Sequence, residues 1–138
     1  MTDSSPSSIT PETHDSGRLI LIVDDEPSVR AMVHASIRVR GAGYRVVEAG
    51  NASEAVAQAR QHVPDLVLLD VALPDHDGFW VCRTLKSSPE TAHIAVVMLT
   101  AMSLPSDRDR AVEAGADGYV VKPFSPRALL DEIDRRLS

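Results

Sequence analysis

Short aliphatic runs recur along the chain from Leu19 onward, separated by longer stretches in which apolar residues fall three or four positions apart. The runs are LILIV at 19–23, YRVVEA at 44–49, LVLL at 66–69, IAVVML at 94–99 and GYVV at 118–121. Four of them are apolar at successive positions, which suits strands covered on both faces. The intervening periodicity predicts helices near 27–40, 53–61, 78–86, 106–114 and 126–137. The last is the clearest: Ser125 is a good N-cap, Pro126 suits the first helical position, and Leu129, Leu130, Ile133 and Leu137 share one face. Strand and helix therefore alternate, which predicts an α/β domain built on a parallel sheet.

The first 17 residues, MTDSSPSSITPETHDSG, break this pattern. They hold one large aliphatic residue, Ile9, after the initiator Met, too little apolar surface to order a segment, so they predict a disordered tail (1–17) ahead of a folded domain (18–138). Composition changes the picture little. With 138 residues, 43% hydrophobic and 25% charged, the chain has room for one core-bearing domain. A net charge of -6 argues against a nucleic-acid binder and against adhesion to an anionic membrane, leaving proteins or small ions as partners. Cys82 is the single cysteine, no apolar run begins the chain, and none approaches the roughly 18 residues of a membrane span. The expectation is a cytoplasmic protein that touches neither membrane nor nucleic acid.

In an open parallel sheet, ligands bind outside the carboxyl ends of the strands. Here the first strand ends in Asp24-Asp25, the third in Asp70, the fourth in Thr100 and the fifth in Lys122-Pro123. Three carboxylates brought to one place repel one another unless a cation neutralises them. A hard divalent ion such as Mg2+ or Mn2+ is implied, since carboxylate and carbonyl oxygens are its usual ligands. With a lysine and a hydroxyl opposite, the set is suited to a phosphoryl group, whose transfer depends on positioning and charge neutralisation, and an aspartate can be the nucleophile.

VDDEP, LLDVALPDHDG, LTA and VVKPF, in that order and at these spacings, resemble the receiver domain of two-component response regulators from about Arg18 to Leu137. The resemblance implies a flavodoxin-like (βα)5 three-layer sandwich with strand order 2-1-3-4-5, an order well known from a chemotaxis member of the same family. It implies that Asp70 is the phosphoacceptor, taking its phosphoryl group from a sensor histidine kinase or a histidine phosphotransfer protein. Asp25, Asp70 and the backbone carbonyl of Ala72 would hold Mg2+, with Asp24 acting mostly through water. Thr100 and Lys122 would contact the phosphoryl oxygens, the Lys122-Pro123 bond would be cis, and Tyr119 would turn inward as Thr100 moves. The implied output is a switch of the helix 4, strand 5, helix 5 surface toward a downstream effector protein, or a phosphorylation-dependent homodimer. Such a domain is not an enzyme; it catalyses only its own phosphorylation and dephosphorylation.

Two other functions compete. A phosphatase of the haloacid dehalogenase type also uses a strand-terminal Asp with Mg2+, but needs a second acid two residues later, where this chain has Ala72. A phosphorylation-independent adaptor would keep the fold without retaining Asp24, Asp25, Asp70, Thr100 and Lys122 together. GAGYRV at 41–46 precedes a strand rather than following one, which excludes a dinucleotide fingerprint.

Blander roles are expected elsewhere. Asp24 and Asp25 also sit where they could cap the first helix, and Tyr119 could be a packing residue with a wet hydroxyl. The five histidines show no ligand spacing. Cys82 shares a helix face with Phe79 and Leu85, as a buried hydrophobe would, whereas Trp80 falls off that stripe. SDRDR at 106–110 predicts a solvated helix face, and helix 4 should be the least anchored helix. Asp75 is expected to be a solvated loop residue and Asp77 the N-cap of helix 3. Two features depart from the family pattern: SIRVRGAGY at 36–44 is longer than usual, and Ala72 and Met102 cannot orient a water against an acyl phosphate, so a phosphoryl group should persist.

Overall fold

The computed structural model describes residues 17–101 and 105–137; the rest of the expected tail and Met102 lie outside the described residues. In chain order the elements are β1 (Leu19–Val23), α1 (Pro27–Arg40), β2 (Arg45–Ala49), α2 (Ala52–His62), β3 (Leu66–Asp70), α3 (Gly78–Lys86), β4 (Ala95–Thr100), α4 (Pro105–Glu113), β5 (Gly118–Val121) and α5 (Pro126–Leu137). The five strands pair in parallel in the order β2-β1-β3-β4-β5. This is the flavodoxin-like sandwich that the resemblance implies. Among the described residues no helix is long and apolar enough to cross a membrane.

The aliphatic strands sort by parity into two cores, because successive side chains point to opposite faces of a sheet. Ile20, Ile22, Leu66, Leu68, Val97 and Leu99 pack against Val33 and Ile37 of α1 and Leu129, Leu130 and Ile133 of α5. Leu21, Val23, Val67, Leu69, Val96 and Met98 face the other layer, formed by Ala52, Ala55 and Ala59 of α2, Phe79, Cys82 and Leu85 of α3, and Ala111 of α4. The small residues of α2 let it lie close to the sheet, while α3 supplies bulk through Phe79 and Leu85.

Helix ends follow local chemistry. Asp77 caps α3, its carboxylate accepting from the Trp80 amide at 2.9 Å, and Ser125 Oγ accepts from the Ala128 amide at 3.0 Å at the start of α5. Gly41, at φ 76°, takes the left-handed conformation that closes α1, and its amide returns to the Ile37 carbonyl. The N-terminus of α2 is satisfied almost completely. Asn51 Oδ1 accepts from the Glu54 amide, and the carboxylate of Asp75 accepts from the amides of Ala52 (2.8 Å) and Ser53 (2.9 Å).

Asp75 is the exposed loop residue expected, with a further role. It fastens the β3–α3 loop to α2 with two charge-assisted bonds, which pull its carboxyl below the usual carboxylate range.

Candidate functional site

Register assembles the site. Val23 pairs with Leu69, so the next residues, Asp24 and Asp70, emerge side by side at the carboxyl edge. Asp70 pairs with Leu99, so Thr100 follows one step on, and Thr100 pairs with Val121, which delivers Lys122. Four residues spread over almost 100 positions converge because parallel strands in register end together.

Asp70, Thr100 and Lys122 line a cleft of about 350 Å³ together with Asp25, Glu26, Val71, Ala72 and Ala101. One carboxylate oxygen from each of Asp24, Asp25 and Asp70 lies within 4.8 Å of the others. Their settings differ. Asp24 is fully buried beneath the cleft; Oδ1 accepts from the Glu26 amide at 2.9 Å and Oδ2 from Lys122 Nζ at 2.9 Å. Asp70 is buried at the cleft floor, with Oδ1 accepting from the Ala72 amide at 3.2 Å and Oδ2 lying 3.5 Å from Lys122 Nζ. Asp25 is exposed at the rim.

Neither Asp24 nor Asp25 caps α1. Glu26 holds that position without a side-chain bond, and Asp24 turns instead to the Glu26 amide.

Burial, then the charge of Asp24, raises the pKa of Asp70 against the opposing pull of Lys122. For Lys122, burial works to lower the pKa, but its hydrogen bond to Asp24 and the charges of Asp70 and Asp24 outweigh that and hold it above the ordinary lysine value. One ammonium thus serves two carboxylates, and with Asp25 at the rim the pocket carries a surplus of negative charge. That surplus, in an all-oxygen donor set, fits a hard divalent cation.

The Lys122-Pro123 peptide is cis, as implied. Thr100 is buried at the end of β4, and its carbonyl accepts from the Lys122 amide at 2.6 Å. Tyr119 is half-buried against the α2–α4 core. Its hydroxyl accepts from Arg108 Nε at 3.1 Å, and the Arg108 guanidinium lies 5.3 Å from the ring centroid. Thr100 shares strand parity with Met98, and Tyr119 packs on the same side, so both belong to the α4 face.

SDRDR is therefore more than a solvated face. Arg110 stacks 4.3 Å over the Phe79 ring and pairs with Asp77 at 3.6 Å, which ties α4 to the cap of α3. Cys82 is buried, with its thiol pushed up to about 11, and acts as the inert hydrophobe expected. Trp80, off the buried stripe, is half-buried and stacks on His76 at 4.0 Å. His34 pairs with Glu48 at 3.2 Å; among the described residues the only candidate metal cluster is the three aspartates.

Gly78 was not anticipated. A Cβ on it would stand 2.9 Å from Val71 Cα and closer still to the Asp70 carbonyl oxygen, so only glycine lets α3 begin against the backbone of Asp70. The signal was present as a glycine at the first position of a helix, where it is a poor helix former.

A parallel α/β sandwich of this strand order, with an acidic pocket and a paired lysine at the carboxyl edge, is the arrangement that the resemblance to a receiver domain implies. The family model for the response regulator receiver domain matches residues 20–134, and the chain belongs to that family. Among curated relatives it is 42% identical over 114 residues to the phosphate regulon transcriptional regulatory protein PhoB of Pseudomonas aeruginosa, covering 83% of this chain and 49% of that protein. The chain spans about half the length of the curated relatives it matches. Among solved structures, a putative response regulator from Chloroflexus aurantiacus is 37% identical with a TM-score of 0.79, covering 87% of this chain and 97% of that one. The chemotaxis protein CheY4 of Vibrio cholerae is 32% identical with a TM-score of 0.80, covering 86% and 97%.

Proposed function

We propose that this receiver domain accepts a phosphoryl group on Asp70 from a phosphohistidine of a sensor histidine kinase or a histidine phosphotransfer protein. The observation that carries the proposal is the setting of the Asp70 carboxylate, held at the cleft floor between the Ala72 amide and Lys122 with Asp25 and Thr100 on the same cleft. A carboxylate oxygen of Asp70 attacks phosphorus as the bond to the imidazole nitrogen breaks; the imidazole leaves and takes up a proton. Lys122 moves its charge from the carboxylate to the transferred oxygens. Thr100, at the end of the neighbouring strand, offers its hydroxyl to them.

Asp25, Asp70 and the Ala72 carbonyl would hold Mg2+ or Mn2+, with Asp24 behind them. When bound, such an ion neutralises the charge that builds up between carboxylate and phosphoryl oxygens. The domain turns over no external substrate. Ala72, which lines the cleft, has no group to act as the general acid of a phosphatase.

The output proposed is a change at α4, β5 and α5 that controls a downstream effector protein or a phosphorylation-dependent homodimer. Thr100 moving toward the phosphoryl group vacates space on the α4 face, which Tyr119 can fill only by leaving Arg108. This is a two-state element biased by a local charge.

Incubation with Mg2+ and acetyl phosphate, or with beryllofluoride, tests the reading by mass spectrometry and amide NMR. Wild type is expected to gain a phosphoryl group or shift its spectrum, and Asp70→Asn to do neither. A variant that responds as wild type does would remove Asp70 from the reaction.

A further inference from the structure

Arg30 lies on α1 with its side chain largely buried, outside the lining of the cleft. Its Nη1 donates to the backbone carbonyl of Asp24 at 2.6 Å, and its Nε donates to Glu48 Oε1 on β2 at 3.0 Å. The other oxygen of Glu48 meets His34 Nδ1 at 3.2 Å.

The bonded carbonyl is the informative part. The Asp24 amide still donates to the Ala49 carbonyl at 3.2 Å, continuing the sheet, but the Asp24 carbonyl lies past the last ladder pair and takes the guanidinium as its partner. That carbonyl belongs to the peptide plane joining Asp24 to Asp25. Rotating the plane about the line joining the two Cα atoms changes ψ of Asp24 and φ of Asp25, and with them how the Asp25 carboxylate faces the cleft. A planar guanidinium with donors in a fixed fork can grip a carbonyl and a carboxylate together, which a lysine ammonium does with less directional control.

We propose that Arg30 is a positioning residue for the acidic pocket: it pins the peptide between Asp24 and Asp25, setting the angle at which Asp25 meets a divalent cation, and Glu48 and His34 hold the guanidinium in place. The proposal rests on the cation-assisted phosphoacceptor reading. Charge alone predicts the opposite sign, because deleting a positive side chain near a cation site favours the cation. The direction of the effect therefore separates positioning from electrostatics.

The test is a Mg2+ titration of metal-free protein followed by amide NMR shifts, with thermal unfolding measured in parallel. Arg30→Met is expected to stay folded and bind Mg2+ about tenfold more weakly, the size of effect seen when the outer partners of metal ligands are removed. Arg30→Lys, which keeps the charge and one donor, should recover part of the loss. Glu48→Gln, which unties one end of the guanidinium, should fall between wild type and Arg30→Met. If Arg30→Met does not fold, Arg30→Gln replaces it, being too short to reach the carbonyl while leaving Glu48 a polar neighbour. Unchanged or tighter Mg2+ binding by the folded variant, whatever its melting temperature, overturns the proposal alone. A wild type without any Mg2+-dependent shift overturns the phosphoacceptor reading and this proposal with it.

Discussion

The carboxyl ends of β1 and β3 and helix α4 are held in opposite ways. At the edge, both carboxylate oxygens of Asp24 are engaged, Asp70 lies between an amide and an ammonium, and Gly78 brings α3 against the Asp70 backbone. In α4 the only buried residue is Ala111, and Arg108 and Arg110 reach across to Tyr119 and to Phe79 and Asp77. Buried, fully bonded groups resist displacement, whereas exposed cation–π and ion-pair contacts contribute about 1 kcal/mol or less each. The contrast makes the strand ends the firmly held region and α4 the less anchored one, and elements that move are drawn from the least stabilised parts of a fold.

The largest break in the comparison is expected at Gly78. Gly78→Ala forces a methyl group against two backbone atoms that cannot move without displacing Asp70. A loss of about 3 kcal/mol in urea unfolding is expected, at the upper end of overpacking penalties, together with loss of phosphorylation. A variant with wild-type stability and labelling would show that the edge yields to an added methyl group.

A second prediction tests the strain built into the edge. Burial and Asp24 raise the pKa of Asp70, so above the ordinary carboxylate value of about 4 the folded protein binds more protons than the unfolded chain. Stability therefore falls as pH rises through the window from that value to the raised one. Asp70→Asn removes this penalty. In metal-free buffer the variant should be more stable than wild type at pH 7, with the gap closing as pH drops below about 4, and Mg2+ should stabilise wild type alone. A gap that does not vary with pH would rule out this account.

The smallest global effect is expected in α4. Arg110→Ala, losing one cation–π contact and one exposed ion pair, should lower stability by only about 0.5–1 kcal/mol. Amide exchange should nevertheless speed up across α4 while β1 and β3 stay protected. Equal acceleration in both regions would mean that the two are one cooperative unit.

Much of this architecture was legible in the residues. The predicted strands at 19–23 and 118–121 and the helices at 27–40, 78–86 and 126–137 coincide with the observed elements, and the rest differ by a residue at one or both ends. Aliphatic runs and cap residues are local, and local signals survive in a single sequence. The carboxyl-end rule then brought out Asp24, Asp25, Asp70, Thr100 and Lys122 together. Asp75 and the SDRDR arginines are exposed as expected, but their partners were not foreseen, because charged residues in loops and on helix faces look merely solvated until the partner is known. Their partners, the amides of Ala52 and Ser53 and the rings of Phe79 and Tyr119, lie 11 to 31 positions away.

By itself, then, the sequence determined the alternation of elements, the layers they bury and the residue types gathered at the strand ends. Those depend on side-chain chemistry at short range and on a general rule about parallel sheets. Only the tertiary structure decided that Asp24 is the buried partner of Lys122 while Asp25 stands at the rim, that residue 78 must be glycine, and that Arg30 holds the carbonyl between the two aspartates. Each of these depends on backbone atoms meeting across the fold, and a backbone carbonyl has no letter in the sequence.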